Sequence, residues 1–290
     1  MSDEAWTVGR LLKWTTEWLG ARGSESARLD SEVLLAHVRS CPRIALYTAF
    51  DTPVADAERA RFRELVKRRG EGEPVAYLVG SREFFSLPFA VTKDVLIPRP
   101  ETEGLVVRTI DLCRDASAPR IVDVGTGSGA IAVTLAKHLP RATLVATDIS
   151  PAALAVARAN AERQGVAERI EFVESDLLAD PRLAGPWDVI VSNPPYVRDD
   201  EYSALPRDVR DHEPKAALVA GPTGVEIVRR LAAEAAERLA PGGWLVVEIG
   251  PAVAAEAERA IAEQQTLVLG QTLKDLAGLA RMVQGRLAAT

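Results

Sequence analysis

The stretch that most limits what this chain can fold into runs through residues 120–136. Arg120-Ile121-Val122-Asp123-Val124 is a β-branched run that reads as a buried strand. It passes straight into Gly125-Thr126-Gly127-Ser128-Gly129 and then into the helix Ala130-Ile131-Ala132-Val133-Thr134-Leu135-Ala136. Glycines permit positive φ and let a ligand approach the backbone. The helix N-terminus adds unsatisfied N–H groups at the same place. Downstream, strand patterns over 142–147, 170–173, 187–192, 244–249, 266–269 and 280–283 alternate with helical ones over 151–164 and 225–239. That alternation predicts an α/β unit with a mostly parallel sheet and helices on both faces.

The loop's composition narrows the ligand. The second strand ends in Asp148, and a carboxylate there is placed to accept both ribose hydroxyls of a nucleoside. The spacing G-x-G-x-G differs from the dinucleotide pattern G-x-G-x-x-G, and the loop holds no basic residue for a phosphate. Asp123, two residues before Gly125, adds negative charge. This environment disfavours a pyrophosphate and suits a cation. S-adenosylmethionine carries a sulfonium and an ammonium group and no phosphate, so a methyl donor is favoured over NAD. At the tip of the third strand, Asp176 is placed to accept from the adenine amino group, with Leu177 packed on the ring. A carboxylate that merely caps its loop is the other reading of Asp176.

The strand Trp187-Asp188-Val189-Ile190-Val191-Ser192 ends in Asn193-Pro194-Pro195-Tyr196. Each proline fixes its own φ and pushes the preceding residue into an extended conformation. Neither proline nitrogen carries a hydrogen, so the strand ladder stops there. The carbonyls of Asn193 and Pro194 are freed to face a ligand, the Asn193 side chain adds an acceptor, and Tyr196 adds a flat face. Such a set suits a planar NH2 group. A plain strand-to-loop turn is the alternative for these four residues taken alone.

Before the sheet, residues 7–80 show helical spacing, with Val8, Leu11, Leu12, Thr15, Trp18 and Leu19 followed by stops at Gly20 and Gly23. Helices over 26–38 and 56–69, and short ones near 44–47 and 75–78, complete a small bundle. Residues 83–91 read as a hairpin turning near Leu87-Pro88. Pro98 and Pro100 then hold Arg99 in an extended segment, and Glu101 or Thr102 opens a helix. That segment is either a rigid linker or a lid that brings Arg99, Glu101 or Thr102 to a ligand. The expected division is 1–80 helical, 81–100 hairpin linker and 101–290 catalytic. The 197–224 loop is long enough to cover a site, and nothing in its spacing makes His212 a base.

At 47% hydrophobic and 26% charged residues the balance is that of a soluble globular protein. Net charge is −6 and neither side of Gly80 is basic, which argues against direct nucleic-acid binding. The two cysteines, Cys41 and Cys113, lie far apart without companion ligands, so no metal site is expected and both are read as free thiols. With no apolar run of membrane length and no signal-peptide pattern at the start, a cytoplasmic location is expected.

Together these motifs resemble the class I S-adenosylmethionine-dependent methyltransferases. Within that class the chain resembles the HemK/PrmC family, the peptide chain release factor glutamine N5-methyltransferases. The resemblance covers nearly the whole length. It rests on Gly72-Glu73-Pro74-Val75-Ala76-Tyr77, Arg82-Glu83-Phe84, Leu96-Ile97-Pro98-Arg99-Pro100-Glu101-Thr102-Glu103, the 122–132 stretch and Ser192-Asn193-Pro194-Pro195-Tyr196. It implies a Rossmann-like sheet of seven strands, preceded by a small helical bundle that binds the substrate protein and by a β-hairpin linker. It implies that the donor lies on Gly125, Thr126, Gly127, Ser128, Gly129, Asp148 and the Leu177 position, with Asn193 reaching donor and substrate. Some members carry Trp where Leu177 stands; leucine keeps the apolar packing and loses ring stacking.

The implied substrate is the glutamine of the Gly-Gly-Gln motif in class 1 release factors, a protein methylation in translation termination, by an enzyme expected to be a monomer. The expected acceptors of its amide hydrogens are the Asn193 side chain and the Pro194 carbonyl, with Pro195 shaping the pocket and Tyr196 on the amide plane. A ribosomal-protein glutamine methyltransferase, an adenine-N6 nucleic-acid methylase and a non-catalytic S-adenosylmethionine-binding module remain rivals. The adenine methylase would need a basic channel.

Overall fold

Leucines and valines at three- and four-residue spacing build the first unit. The computed structural model describes residues 5–289. Up to Gly80 it holds α1 (Val8–Gly20), α2 (Ala27–Arg39), α3 (Arg43–Thr48), α4 (Asp56–Gly70) and α5 (Val75–Val79). The Thr7 side chain caps α1 by accepting from Arg10 N at 3.3 Å. Ser40, in a left-handed conformation, ends α2. The apolar faces meet in one core around Val8, Leu12, Leu34, Leu35, Leu46 and Phe62. Burying each of these large side chains contributes roughly 1.5–3 kcal/mol. The segment Pro206–His212 belongs to this unit, although it lies far downstream in sequence.

The second unit comprises Ser81–Leu205 and the chain from Glu213 onward. It starts with a hairpin, β1 (Ser81–Phe84) and β2 (Leu87–Ala90). The turn is at Phe85-Ser86, both with positive φ, and not at Leu87-Pro88 as expected. A two-residue turn with two positive φ values matches the twist of its strands. Pro88 sits inside β2 opposite Glu83, which a two-stranded ribbon tolerates because its outer edges carry no ladder bond.

A 3-10 turn, Pro100–Thr102, leads into α6 (Glu103–Leu112). Strand and helix then alternate as the sequence predicts: β3 (Arg120–Val124), α7 (Ala130–His138), β4 (Thr143–Asp148), α8 (Pro151–Arg163), β5 (Ile170–Glu174) and β6 (Trp187–Ser192). The long loop holds β7 (Val197–Arg198), α9 (Arg207–His212) and β8 (Val219–Gly221). Then come α10 (Glu226–Arg238), β9 (Leu239–Glu248), α11 (Ala254–Ala262), β10 (Leu267–Leu269), β11 (Leu273–Lys274) and β12 (Ala280–Leu287).

The main sheet runs β5-β4-β3-β6-β9-β12-β10, parallel from β5 to β9 and antiparallel around β12. These are the seven expected strands, and the short β11 adds an eighth beside β12. β9 begins earlier than expected because Pro241-Gly242-Gly243 lies within it, where its register against β6 slips. A Cβ on Gly243 would stand 2.7 Å from the Trp187 carbonyl oxygen, so this close approach requires glycine.

Both faces of the sheet are covered. Ile121, Leu144, Val189 and Val246 pack on one side; Val122, Val145, Ile190 and Leu245 pack on the other. Burial on two faces explains why the strands read as continuous apolar runs. The chain winds outward from β3 to β5 and returns to β6 on the far side of β3. That reversal opens a crevice beyond the carboxyl ends of β3 and β6, where ligands of such sheets bind. Among the described residues, no helix is long and apolar enough to cross a membrane.

Candidate active site

Strand register brings the predicted site together. Val124 of β3 pairs with Ser192 of β6, and Ser192 pairs with Val247 of β9. Gly125, Asn193 and Glu248 therefore stand side by side at one sheet edge. The Ser192 hydroxyl donates to the Val124 carbonyl at 2.7 Å and pins this register.

The glycine loop is held from below. Gly125 N and Thr126 N donate to the Thr147 carbonyl at 2.8 and 2.9 Å. Gly127 N donates to Asp148 Oδ2 at 2.9 Å. Gly125 and Gly127 adopt φ of +73° and +55°, and a Cβ on either would meet nothing within 4 Å. Their backbone thus faces open space. Gly129, at φ +81°, packs on α8, where an added Cβ would lie 3.1 Å from Ala157. Ser128 is buried, and its carbonyl accepts from Asn160 Nδ2 at 2.8 Å.

Two carboxylates flank the loop. Asp148 takes Gly127 N on one oxygen and Ser150 N on the other, at 2.9 Å each. A carboxylate offers about four acceptor positions, so it retains capacity for a ribose hydroxyl beside these bonds. Burial raises the Asp148 pKa, and the backbone bonds offset part of the rise. Asp123 is fully buried; its Oδ2 accepts from the Thr126 hydroxyl at 2.7 Å and from Ala132 N at 3.1 Å. Its Oδ1 is buried without a partner. Desolvation pushes the Asp123 pKa up to about 7. An unpaired buried acceptor beneath an open glycine loop fits a cationic ligand.

The tip of β5 joins this edge through Ser175 N, which donates to the Asp148 carbonyl at 3.0 Å. Asp176 itself is exposed and ion-paired with Arg230 of α10 at 2.7 Å. Leu177 has positive φ and is half-buried against the core beneath α10.

On the other side of Gly125, Asn193 is half-buried and its Nδ2 donates to Thr102 Oγ1 at 3.1 Å. Pro194 is buried; Pro195 and Tyr196 are half-buried. The Tyr196 ring lies against Gly250, where a Cβ would come within 3.0 Å of it. Burial, and then the nearby Glu248 charge, raises the Tyr196 pKa. Arg99 is ion-paired with the buried Glu213, whose other oxygen accepts from Ile97 N at 3.1 Å. The extended 97–99 segment is therefore stapled by Glu213.

Glu213 and Glu248 have no assigned role in the sequence reading. Glu248 carries a signal, a carboxylate set between Val247 and Ile249 in an apolar run, whereas Glu213 sits in a loop with none. Burial pushes the Glu248 pKa up to about 7, countered by a hydrogen bond with the Thr102 side chain and increased by the charge of Glu101.

This fold and edge define a class I methyltransferase. A crystal structure of a methyltransferase from Pyrococcus furiosus shares the fold at TM-score 0.51, with 16% identity over 77% of this chain and 97% of that one. Family models for the PrmC N-terminal domain and the methyltransferase small domain match residues 10–80 and 105–207. The release factor glutamine methyltransferase of Rhodopirellula baltica is 46% identical, covering 97% of both chains. That of Geobacter sulfurreducens is 42% identical over 98% of each. The chain belongs to the release factor glutamine methyltransferase family.

Proposed function

We infer that this chain transfers a methyl group from S-adenosylmethionine to the side-chain amide nitrogen (N5) of the glutamine in the Gly-Gly-Gln motif of class 1 peptide chain release factors. The observation that carries this reading is the shared sheet edge of Gly125 and Asn193, in a chain that aligns over 97% of its length with a release factor glutamine methyltransferase.

S-adenosylmethionine, held by Gly125–Gly129, Asp148 and the Leu177 position with Asp123 beneath, supplies an electrophilic methyl on a sulfonium sulfur. The glutamine amide is a weak nucleophile because its lone pair is delocalised into the carbonyl. The protein's contribution is therefore positioning. Asn193 Oδ1 and the Pro194 carbonyl accept the two amide hydrogens, aim the nitrogen and stabilise the positive charge that develops on it. Pro195 keeps that backbone extended and Tyr196 packs on the amide plane. The N–CH3 bond forms as the S–CH3 bond breaks, and one amide proton leaves to water. Arg99, tied to Glu213, orders the segment beside the acceptor. The helical unit binds the release factor, and the enzyme acts as a cytoplasmic monomer without direct nucleic-acid contact; the net charge of −6 supports the last point.

The test is methyl transfer from labelled S-adenosylmethionine to a purified release factor, with mass spectrometry to locate the label. Label is expected on the motif glutamine and absent from a Gly-Gly-Ala control. Label only on a ribosomal protein or on nucleic acid would overturn the substrate.

A further inference from the structure

The Asn193 side chain serves an acceptor amide in only one of its two orientations. With Oδ1 outward it accepts an N–H; flipped, it would set NH2 against NH2. The end of β9 and the turn before α6 supply what decides between them. Asn193 Nδ2 donates to Thr102 Oγ1 at 3.1 Å. Thr102 is buried, and the buried Glu248 carboxylate lies within hydrogen-bonding reach of its hydroxyl. We propose that Thr102 and Glu248 are positioning residues, a relay that holds Asn193 with its oxygen toward the substrate. This rests on the reading of Asn193 as the group that receives the glutamine amide.

The argument is one of donor counting. A carboxylate only accepts, so the single hydroxyl hydrogen of Thr102 goes to Glu248. The Thr102 oxygen is then left with lone pairs alone and takes only a donor from Asn193. The amide nitrogen must face Thr102, and the amide oxygen must face away. A protonated Glu248 reverses the logic: it donates to Thr102, and the Thr102 hydrogen becomes free to turn to an Asn193 oxygen. The charged groups around Glu248 are Glu101 and Arg99 from the segment before α6 and Arg281 from β12, with the Tyr196 hydroxyl from the loop after β6. Arg99 and Arg281 are themselves committed to Glu213 and Asp275. They favour the ionised form, while burial and Glu101 oppose it and push the pKa up to about 7. Turnover at saturating S-adenosylmethionine therefore falls as pH drops through that value.

The experiment measures kcat and KM for the release factor, the S-adenosylmethionine dissociation constant and the pH profile in Thr102→Val, Thr102→Ser and Glu248→Gln. Misplacing a group that aligns the nucleophile costs on the order of 10–100-fold in kcat. That loss is expected for Thr102→Val with donor affinity unchanged, and Thr102→Ser should recover most of it. Glu248→Gln should flatten the acid limb of the profile, and it keeps the test alive where valine disturbs folding. A Thr102→Val enzyme within twofold of wild-type kcat, or an acid limb that persists in Glu248→Gln, overturns the relay. Wild-type protein that leaves the release factor unmethylated overturns the functional reading as well, so the two failures are separable.

Discussion

Asp123 and Glu248 lie on the two strands that flank β6, and they invite comparison. Both are buried, both leave one oxygen without a partner, and burial pushes both toward a pKa of about 7. They differ in how they are held. The partners of Asp123, Thr126 and Ala132, are 3 and 9 residues away, within the same strand–loop–helix. Glu248 acts through Thr102, whose link to Asn193 spans 91 residues. The donor floor is thus a local structure that forms with its own segment. The acceptor side is an assembly of distant segments that exists only when the sheet is complete.

If that division is right, variants on the two sides should fail differently. The largest effect is expected for Asn193→Ala. Loss of an acceptor aimed at developing charge costs on the order of 100-fold in kcat. S-adenosylmethionine affinity, measured by calorimetry, should stay close to wild type. Parallel loss of donor affinity would erase the distinction between the two sides.

Next is Asp123→Ala, which strands the Thr126 hydroxyl and the Ala132 N–H in a buried site. Each unsatisfied group costs about 1–3 kcal/mol, so Tm should fall along with donor affinity. Asp123→Asn keeps an acceptor for both and sharpens the test. It should hold Tm near wild type while still weakening the cationic donor.

A smaller effect separates two glycines. Gly129→Ala forces a positive φ and a 3.1 Å contact with Ala157, and should cost roughly 1–2 kcal/mol of stability. Gly250→Ala has no such φ but presses on the Tyr196 ring at 3.0 Å. It should raise KM for the release factor more than it lowers Tm.

The smallest effect is the pH slope of stability. Asp123, Asp148 and Glu248 have folded pKa values above their unfolded ones. The folded state therefore binds their protons more tightly, and stability falls as pH rises from about 5 to 8. The lowered carboxylates Glu32, Glu226, Asp180, Asp211 and Asp275 act the other way, but only below their ordinary values of 4.5 and 3.8. Melting of the ligand-free protein should occur at lower temperature at pH 8 than at pH 6. Asp123→Asn should reduce that difference.

The same contrast explains what could be read from the sequence. The strand, glycine loop and helix around Asp123 were legible because each partner is a near neighbour and each glycine has a conformational reason. Asn193 and Gly125 could be joined because alternating strands and helices fix the order in which parallel strands add. The Thr102–Glu248 and Arg99–Glu213 pairs were not legible, since no local pattern says which buried carboxylate will meet which segment. The strand-tip position of Asp176 is legible in the sequence, whereas its ion pair with Arg230 on α10 is not. The sequence places the hairpin turn near Leu87-Pro88 because Phe85 and Ser86 take positive φ without a glycine to announce it. The early part of β9 was hidden by Pro241-Gly242-Gly243, which signals a break by composition and is held in the ladder by close packing on Trp187.

The membership of Pro206–His212 in the helical unit has a consequence for how such a protein can be recombined. The unit is discontinuous, and the chain passes between the two units at Gly80, at Leu205 and again at His212. A fragment starting at Ser81 would carry a piece of the missing unit inside its own loop, where Asp208 has lost its ion-pair partner Arg69. Grafting this helical unit onto another catalytic unit therefore needs three splice points rather than one. Exchange at Gly80 alone would leave both products incomplete.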